Sequence, residues 1–295
     1  MTLSKITSTF VIVTLFVCSA VAQRNQHDRE ANQPVEPFKI AGNLYYVGSS
    51  DMACYLITTP AGHIVLDGGF AETAPQIEAN IAKLGFNLKD VKVLLNSQAH
   101  YDHSAGFAQL KRDSGAKLEI MEGDAELIEH GGRGDFFFGD KMTFTPVKVD
   151  RVLHEGDTVA VGGMTLHAMK TAGHTKGCTS WTTTIRDGQR DLSAVFVCSE
   201  SVLPGYKLVN DPKYPQQAAD YEDGFKKLQA VKPDLFLGSH GVFFGLTEKR
   251  AKQKAGAKEN PFIDPDGYRQ WLEQSRKAFE TELARQRQGK ASAGN

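Results

Sequence analysis

Residues Val91-Lys92-Val93-Leu94-Leu95-Asn96-Ser97-Gln98-Ala99-His100-Tyr101-Asp102-His103 pass without interruption from an apolar, β-branched run into two imidazoles and a carboxylate. Val91 to Leu95 predicts a buried strand, and Asn96-Ser97 is the polar break that ends it. Strand ends are where α/β architectures present groups to ligands, and a loop there can fold back so that alternate side chains converge. His100, Asp102 and His103 supply the nitrogen and oxygen donors that suit a transition metal.

Outward from this segment the chain alternates short β-rich runs with amphipathic stretches. Upstream, Leu44 to Val47, Cys54 to Thr59 and His63 to Leu66 read as strands, with Pro60-Ala61-Gly62 as a hairpin turn, and Ala71 to Leu84 reads as a helix closed by Gly85. Downstream come a helix at Gly106 to Lys111, a strand at Lys117 to Met121 and a short helix at Asp124 to His130. Gly131 to Asp140 follows as a loop carrying Phe136, Phe137 and Phe138. The second half repeats the grammar, with strands at Thr158 to Val161 and Met164 to Lys170 and a hairpin from Thr179 to Ser199. A helix from Gln216 to Val231, a strand at Leu235 to Gly238 and a long charged helix from about Asp266 to Gln288 complete it. Strands then helix, twice over, predict two packed sheets with helices outside, an α/β sandwich in one domain, since no linker-like composition separates the halves.

Two more histidines fall on junctions of the same kind. His174 lies in the Gly-flanked turn Thr171-Ala172-Gly173-His174-Thr175, and His240 ends Leu235-Phe236-Leu237-Gly238-Ser239-His240. His27, His63, His130, His154 and His167 lie before the folded region, in a hairpin, at a helix end or in or beside strands, and read as surface or packing residues.

The 295 residues are 41% hydrophobic and 23% charged, with 34 Lys and Arg against 35 Asp and Glu. That composition is globular, and its balance supplies no surplus of positive charge for a nucleic acid or an anionic membrane. Residues 1–22 read as a cleaved export signal: Lys5, the apolar run Phe10 to Val17 and the small residues Ala20-Val21-Ala22. The run is too short to span a membrane, and Leu15-Phe16-Val17-Cys18 is a poor lipobox, so a periplasmic or secreted protein without a membrane anchor is expected rather than a lipoprotein. Residues 23–295 form the expected domain. Cys18 leaves with the signal, and Cys54, Cys178 and Cys198 remain, enough for one bridge and one free thiol. Asp187-Gly188 supplies a turn between Thr179 to Ile185 and Leu192 to Ser199. Centring the hairpin near Gly188 brings Cys178 and Cys198 close to opposite each other, so a disulfide between them is predicted, the alternative being two buried thiols in a shifted register.

With these segments in place the chain resembles the metallo-β-lactamase superfamily, and within it the β-lactamases of subclass B3. The likeness rests on Leu66-Asp67-Gly68-Gly69, Gln98 to His103, Gly173-His174-Thr175 with Thr179-Ser180-Trp181, Pro204-Gly205-Tyr206 and Gly238-Ser239-His240. It implies a four-layer αβ/βα sandwich with the metal site along one edge. It also implies two zinc ions, the first held by Gln98, His100 and His174, the second by Asp102, His103 and His240. Gln98 is a departure, since most of the family has histidine there; an amide oxygen is a weaker zinc partner than imidazole, so the first site is expected to bind less tightly. The implied chemistry is hydrolysis of the β-lactam amide by metal-bound hydroxide, with Asp102 as the catalytic carboxylate that handles the proton, on a small-molecule substrate in a monomeric enzyme. No G-x-S-x-G segment supplies a serine nucleophile. Around the site, Phe138 in the aromatic loop is expected to line the pocket. Glu200 falls where the subclass usually has a serine beside the second zinc and is expected there, or Ser199 or Ser201 if the alignment slips by one, the alternative being a solvated loop glutamate. The runner-up readings are a hydrolase of the same fold acting on another ester, lactone or thioester, and a zinc-binding protein that has lost catalysis.

Overall fold

Period-two alternation builds the first layer. Tyr55, Ile57, Ile64, Leu66, Val93 and Leu95 turn to one face, and Cys54, Leu56, Val65 and Leu94 to the other, so these strands are buried on both sides. In the computed structural model, which describes residues 28–289, a seven-stranded sheet runs in chain order. Its strands are β1 (Phe38–Ala41), β2 (Leu44–Tyr46), β3 (Tyr55–Thr59), β4 (Gly62–Leu66), β5 (Val91–Leu95), β6 (Lys117–Met121) and β7 (Arg151–Leu153). The first four are antiparallel neighbours, whereas β4 to β7 are parallel and therefore need crossovers. Helices α1 (Ala74–Lys83), α2 (Tyr101–Ser104), α3 (Phe107–Ser114) and α4 (Ala125–Glu129) lie in those crossovers. Ile77, Ile81, Phe107, Leu110 and Ile128 cover the outer face. The export signal read at 1–22, with Cys18, and also His27 and the tail beyond 289 lie outside the described residues.

The second sheet has five strands, in the order β12 (Leu235–Gly238), β11 (Arg190–Val197), β10 (Thr179–Asp187), β9 (Met164–Lys170) and β8 (Thr158–Val161). Helix α5 (Gln217–Ala230) and the long α7 (Pro265–Arg287) pack on it through Tyr221, Phe225, Leu228, Tyr268, Leu272 and Phe279. One hydrophobic cluster runs from Tyr46, Tyr55 and Leu66 of the first sheet through Trp181, Ile185 and Phe196 of the second to those helices. The two halves therefore share a core.

Strands β1 and β7 and helices α2 and α6 are not read from the sequence, and α2, a single turn of 4 residues, lies in the segment read as a loop. β1 and β7 are edge strands of 4 and 3 residues, too short to show a period. Helix α6 (Leu246–Lys254) is Leu-Thr-Glu-Lys-Arg-Ala-Lys-Gln-Lys, in which only Leu246 and Lys249 are buried, so it carries no apolar stripe. The expected disulfide joins Cys178 to Cys198, with Cα atoms 5.8 Å apart, and Cys54 is free and buried.

Candidate metal centre

The C-terminal ends of β5 and β12 and the turn between β9 and β10 meet at one edge of the sandwich. β5 delivers Ser97, whose backbone N–H and hydroxyl donate to the two oxygens of Asp67 at 2.6 and 2.8 Å. Thr179 N–H donates to Ser97 O at 2.7 Å, tying this loop to the second sheet. The chain then turns so that His100 stands just before α2, which carries Asp102 and His103.

Asp102, His103 and His240 form one donor set, with a ligand atom from each lying within 4.8 Å of the others. His103 Nε2 and His240 Nε2 are 3.1 Å apart, and Asp102 Oδ2 is 3.5 Å from the former and 3.9 Å from the latter. Each imidazole is held from behind. His240 Nδ1 donates to Asp51 Oδ2 at 2.9 Å, and Asp67 Oδ2 lies 3.6 Å from His103 Nδ1. A carboxylate on one ring nitrogen fixes the tautomer and leaves the other nitrogen for a metal. Burial opposes charge on Asp102, but the neighbouring His103, His240 and His100 outweigh it and hold the carboxyl below its ordinary value, so it is ionised at neutral pH.

His100 and His174 stand beside it as a second pair, with Gln98 two residues before His100 in the same loop. The rings of His100 and His174 have centroids 4.8 Å apart, and His174 Nδ1 donates to Ser201 O at 2.8 Å. Burial pulls the His174 pKa down to about 4 and holds that of His100 well below the usual imidazole range, so both are neutral, the form that ligates. Both amide atoms of Gln98 are buried without a hydrogen-bond partner. An orphaned amide beside two neutral imidazoles fits a cation, because buried polar atoms otherwise find protein partners. Asp124 joins the two loops that carry this set. Its Oδ2 accepts from Ala99 N–H at 2.8 Å and Thr175 Oγ1 at 2.7 Å, and its Oδ1 accepts from Gly177 N–H at 2.7 Å. Gly173 is required beside His174: its φ is +135°, and a Cβ there would lie 2.6 Å from the Tyr221 ring.

Of the six residues expected as ligands, Asp102, His103 and His240 lie together and His100 packs against His174, while Gln98 is buried two residues before His100. Of the three expected substrate contacts, Phe138 packs edge-on against His100 with centroids 5.1 Å apart, while Phe136 is buried with Tyr206 and Tyr214. Ser201 meets the site through its carbonyl, which accepts from His174 and from the Tyr221 hydroxyl at 2.7 Å. Glu200 departs from both readings considered for it. It is 2% exposed, both carboxylate oxygens are unpartnered, and Oε1 faces Gly224 of α5, so it is not a solvated loop residue, and it is not in the Asp102, His103 and His240 set. The carboxylates behind the imidazoles, Asp51, Asp67 and Asp135, and the loop clamp Asp124, were not singled out; Asp67 in Leu66-Asp67-Gly68-Gly69 carried the one local signal, a charge directly after a buried strand. One S-x-x-K spacing exists, Ser114 to Lys117, but the Ser114 hydroxyl is taken up by Leu110 O and Ala116 N–H at the end of α3 and is no nucleophile.

The sequence profile of the metallo-β-lactamase superfamily matches residues 52–187. Among solved structures, the native FEZ-1 metallo-β-lactamase from Legionella gormanii is 44% identical, with a TM-score of 0.85 over 87% of this chain and 98% of that one. The class B3 di-zinc metallo-β-lactamase LRA-12 from an Alaskan soil metagenome is 38% identical, with a TM-score of 0.81 over 86% and 96% of the two chains. A curated relative, a probable metallo-hydrolase of Burkholderia pseudomallei, is 30% identical over 136 residues, and the match spans 45% of that relative's length, less than half.

Proposed function

The chain belongs to the metallo-β-lactamase superfamily, and from that premise we propose that it is a zinc-dependent β-lactamase of subclass B3, opening the lactam amide of a small-molecule antibiotic. The observation that carries the reading is the Asp102, His103 and His240 donor set with the His100 and His174 pair beside it, and the buried, unpartnered Gln98 amide supports a third donor for that pair. Gln98, His100 and His174 hold one zinc, and Asp102, His103 and His240 the other, with the amide making the first site the weaker. Bound zinc supplies a Lewis acid for the lactam carbonyl and acidifies a coordinated water to a pKa of about 7.

The protein's own residues do the rest. Asp102, ionised and partly open to solvent, takes the proton of the attacking water and returns it to the lactam nitrogen as the C–N bond breaks. Asp51, Asp67 and the Ser201 carbonyl keep three imidazoles in the tautomer that faces the metal. Phe138, against His100, offers an apolar wall to the substrate. We assign residues 1–22 to an export signal and 23–295 to one periplasmic or secreted, monomeric domain; no helix among the described residues is long and apolar enough to cross a membrane.

The test is hydrolysis of a chromogenic cephalosporin by the zinc-loaded protein, repeated after chelation and with Asp102→Asn. Turnover is expected to vanish on chelation, return with zinc, and fall by at least about a hundredfold in a folded Asp102→Asn enzyme. Near-normal turnover in that variant, or activity indifferent to chelator, overturns the reading.

A further inference from the structure

Three of the four imidazoles at the centre have an identified oxygen behind them: Asp51 for His240, Asp67 for His103, the Ser201 carbonyl for His174. The fourth, His100, faces Asp135. His100 Nε2 and Asp135 Oδ2 are 3.9 Å apart, longer than a hydrogen bond, and each is buried with no hydrogen-bond partner. Both residues are nearly inaccessible, His100 at 6% and Asp135 at 5% exposure. Two complementary orphaned atoms facing each other across a gap that a side-chain adjustment closes are a poised pair. Asp135 itself is fixed, because its other oxygen accepts from Phe137 N–H at 2.8 Å and Phe138 N–H at 2.6 Å, a local turn that also sets the Phe138 ring against His100.

We propose that Asp135 is the positioning residue of the first zinc site: its Oδ2 accepts the Nε2 proton of His100 and so reserves Nδ1 for the metal. The inference rests on the assignment of His100 as a first-site ligand. It gives the site whose donor set is weakened by Gln98 a carboxylate one bond removed from the metal, raising the basicity of the imidazole that does bind. The same carboxylate orients the ligand and pins the loop that carries Phe138.

Asp135→Asn separates this role from a structural one. The amide oxygen can still accept from Phe137 and Phe138, which directs the amide NH2 at His100 Nε2. Two donors cannot face each other, so His100 must move its proton to Nδ1 and lose the ligating lone pair, as when an acceptor that sets a catalytic histidine's tautomer becomes an amide. Zinc titration against a chromophoric chelator is expected to show first-site affinity lowered by about ten- to a hundredfold, with the second site and the melting temperature of the metal-free protein unchanged. Independently of any variant, nitrogen-15 spectra of the zinc-loaded wild type should show His100 protonated at Nε2. A wild-type spectrum with the proton on Nδ1 overturns the proposal even if the variant fails to fold, and so does an Asp135→Asn protein that binds two zinc ions as tightly as wild type. A wild type that takes up a single zinc overturns it together with the first-site assignment, which distinguishes the two failures.

Discussion

On the proposed ligand assignment, Gln98 is the residue on which metal occupancy turns. Its amide oxygen is neutral and a weaker donor than imidazole, so Gln98→His should leave a second equivalent of zinc on the protein after dialysis where the parent retains less; an unchanged or lower zinc content would show that position 98 is not a ligand. Glu200 bears on stability instead. Burial alone pushes its carboxyl well above the ordinary 4.5. A group whose folded-state pKa is raised contributes stability that is fully present below its unfolded value and is lost as pH rises through the folded value. From about pH 4.5 upward, wild-type stability should therefore lose up to about 1.4 kcal/mol per pH unit to this one group. Glu200→Gln should remove that slope, as read by denaturant unfolding across pH; parallel curves for the two proteins would contradict the assignment. The candidate ligands are legible because metal-binding side chains on strand ends are a local pattern. Their partners are not: Asp51 meets His240 across 189 residues of chain, and no local spacing encodes that contact.

At the scale of elements, the β10–β11 hairpin shows how a sequence argument reached its answer by a slightly different road. The strands close through Gly188-Gln189, with Asp187 paired to Arg190 and Trp181 to Phe196, so paired residue numbers total 377. Cys178 and Cys198 are one step off that register. They bridge because both lie beyond the last β10–β11 rung, where Thr179 already pairs with Lys170 of β9 and the segment around residue 198 is no longer held by the ladder. Reducing the bridge should cost about 2–4 kcal/mol, measured by unfolding with and without reductant. Thiol counting on unreduced, denatured mature protein should find Cys54 alone, and three thiols would refute the bridge. Long strands and amphipathic helices are readable from periodicity, whereas β1, β7, α2 and α6 are not, since none carries an apolar pattern of its own.

The whole molecule is a pair of sheets with one shared core and a metal centre drawn from both, which is what the doubled strand-and-helix grammar predicted. Heat should therefore melt it in a single calorimetric transition, and two transitions would contradict a single domain. Chelation should lower that transition without splitting it. Zinc present at a hundred times its dissociation constant adds about 2.7 kcal/mol per site, about 5 °C for a chain of this size. His103 and His240 meet across 137 residues. A chain that ends before His240 has two of the three members of the Asp102 set and no closed site. On the proposed ligand assignment, zinc capture at the Asp102 set waits until His240 is made, so the metal supply that matters is the one surrounding the finished chain rather than the one surrounding its synthesis.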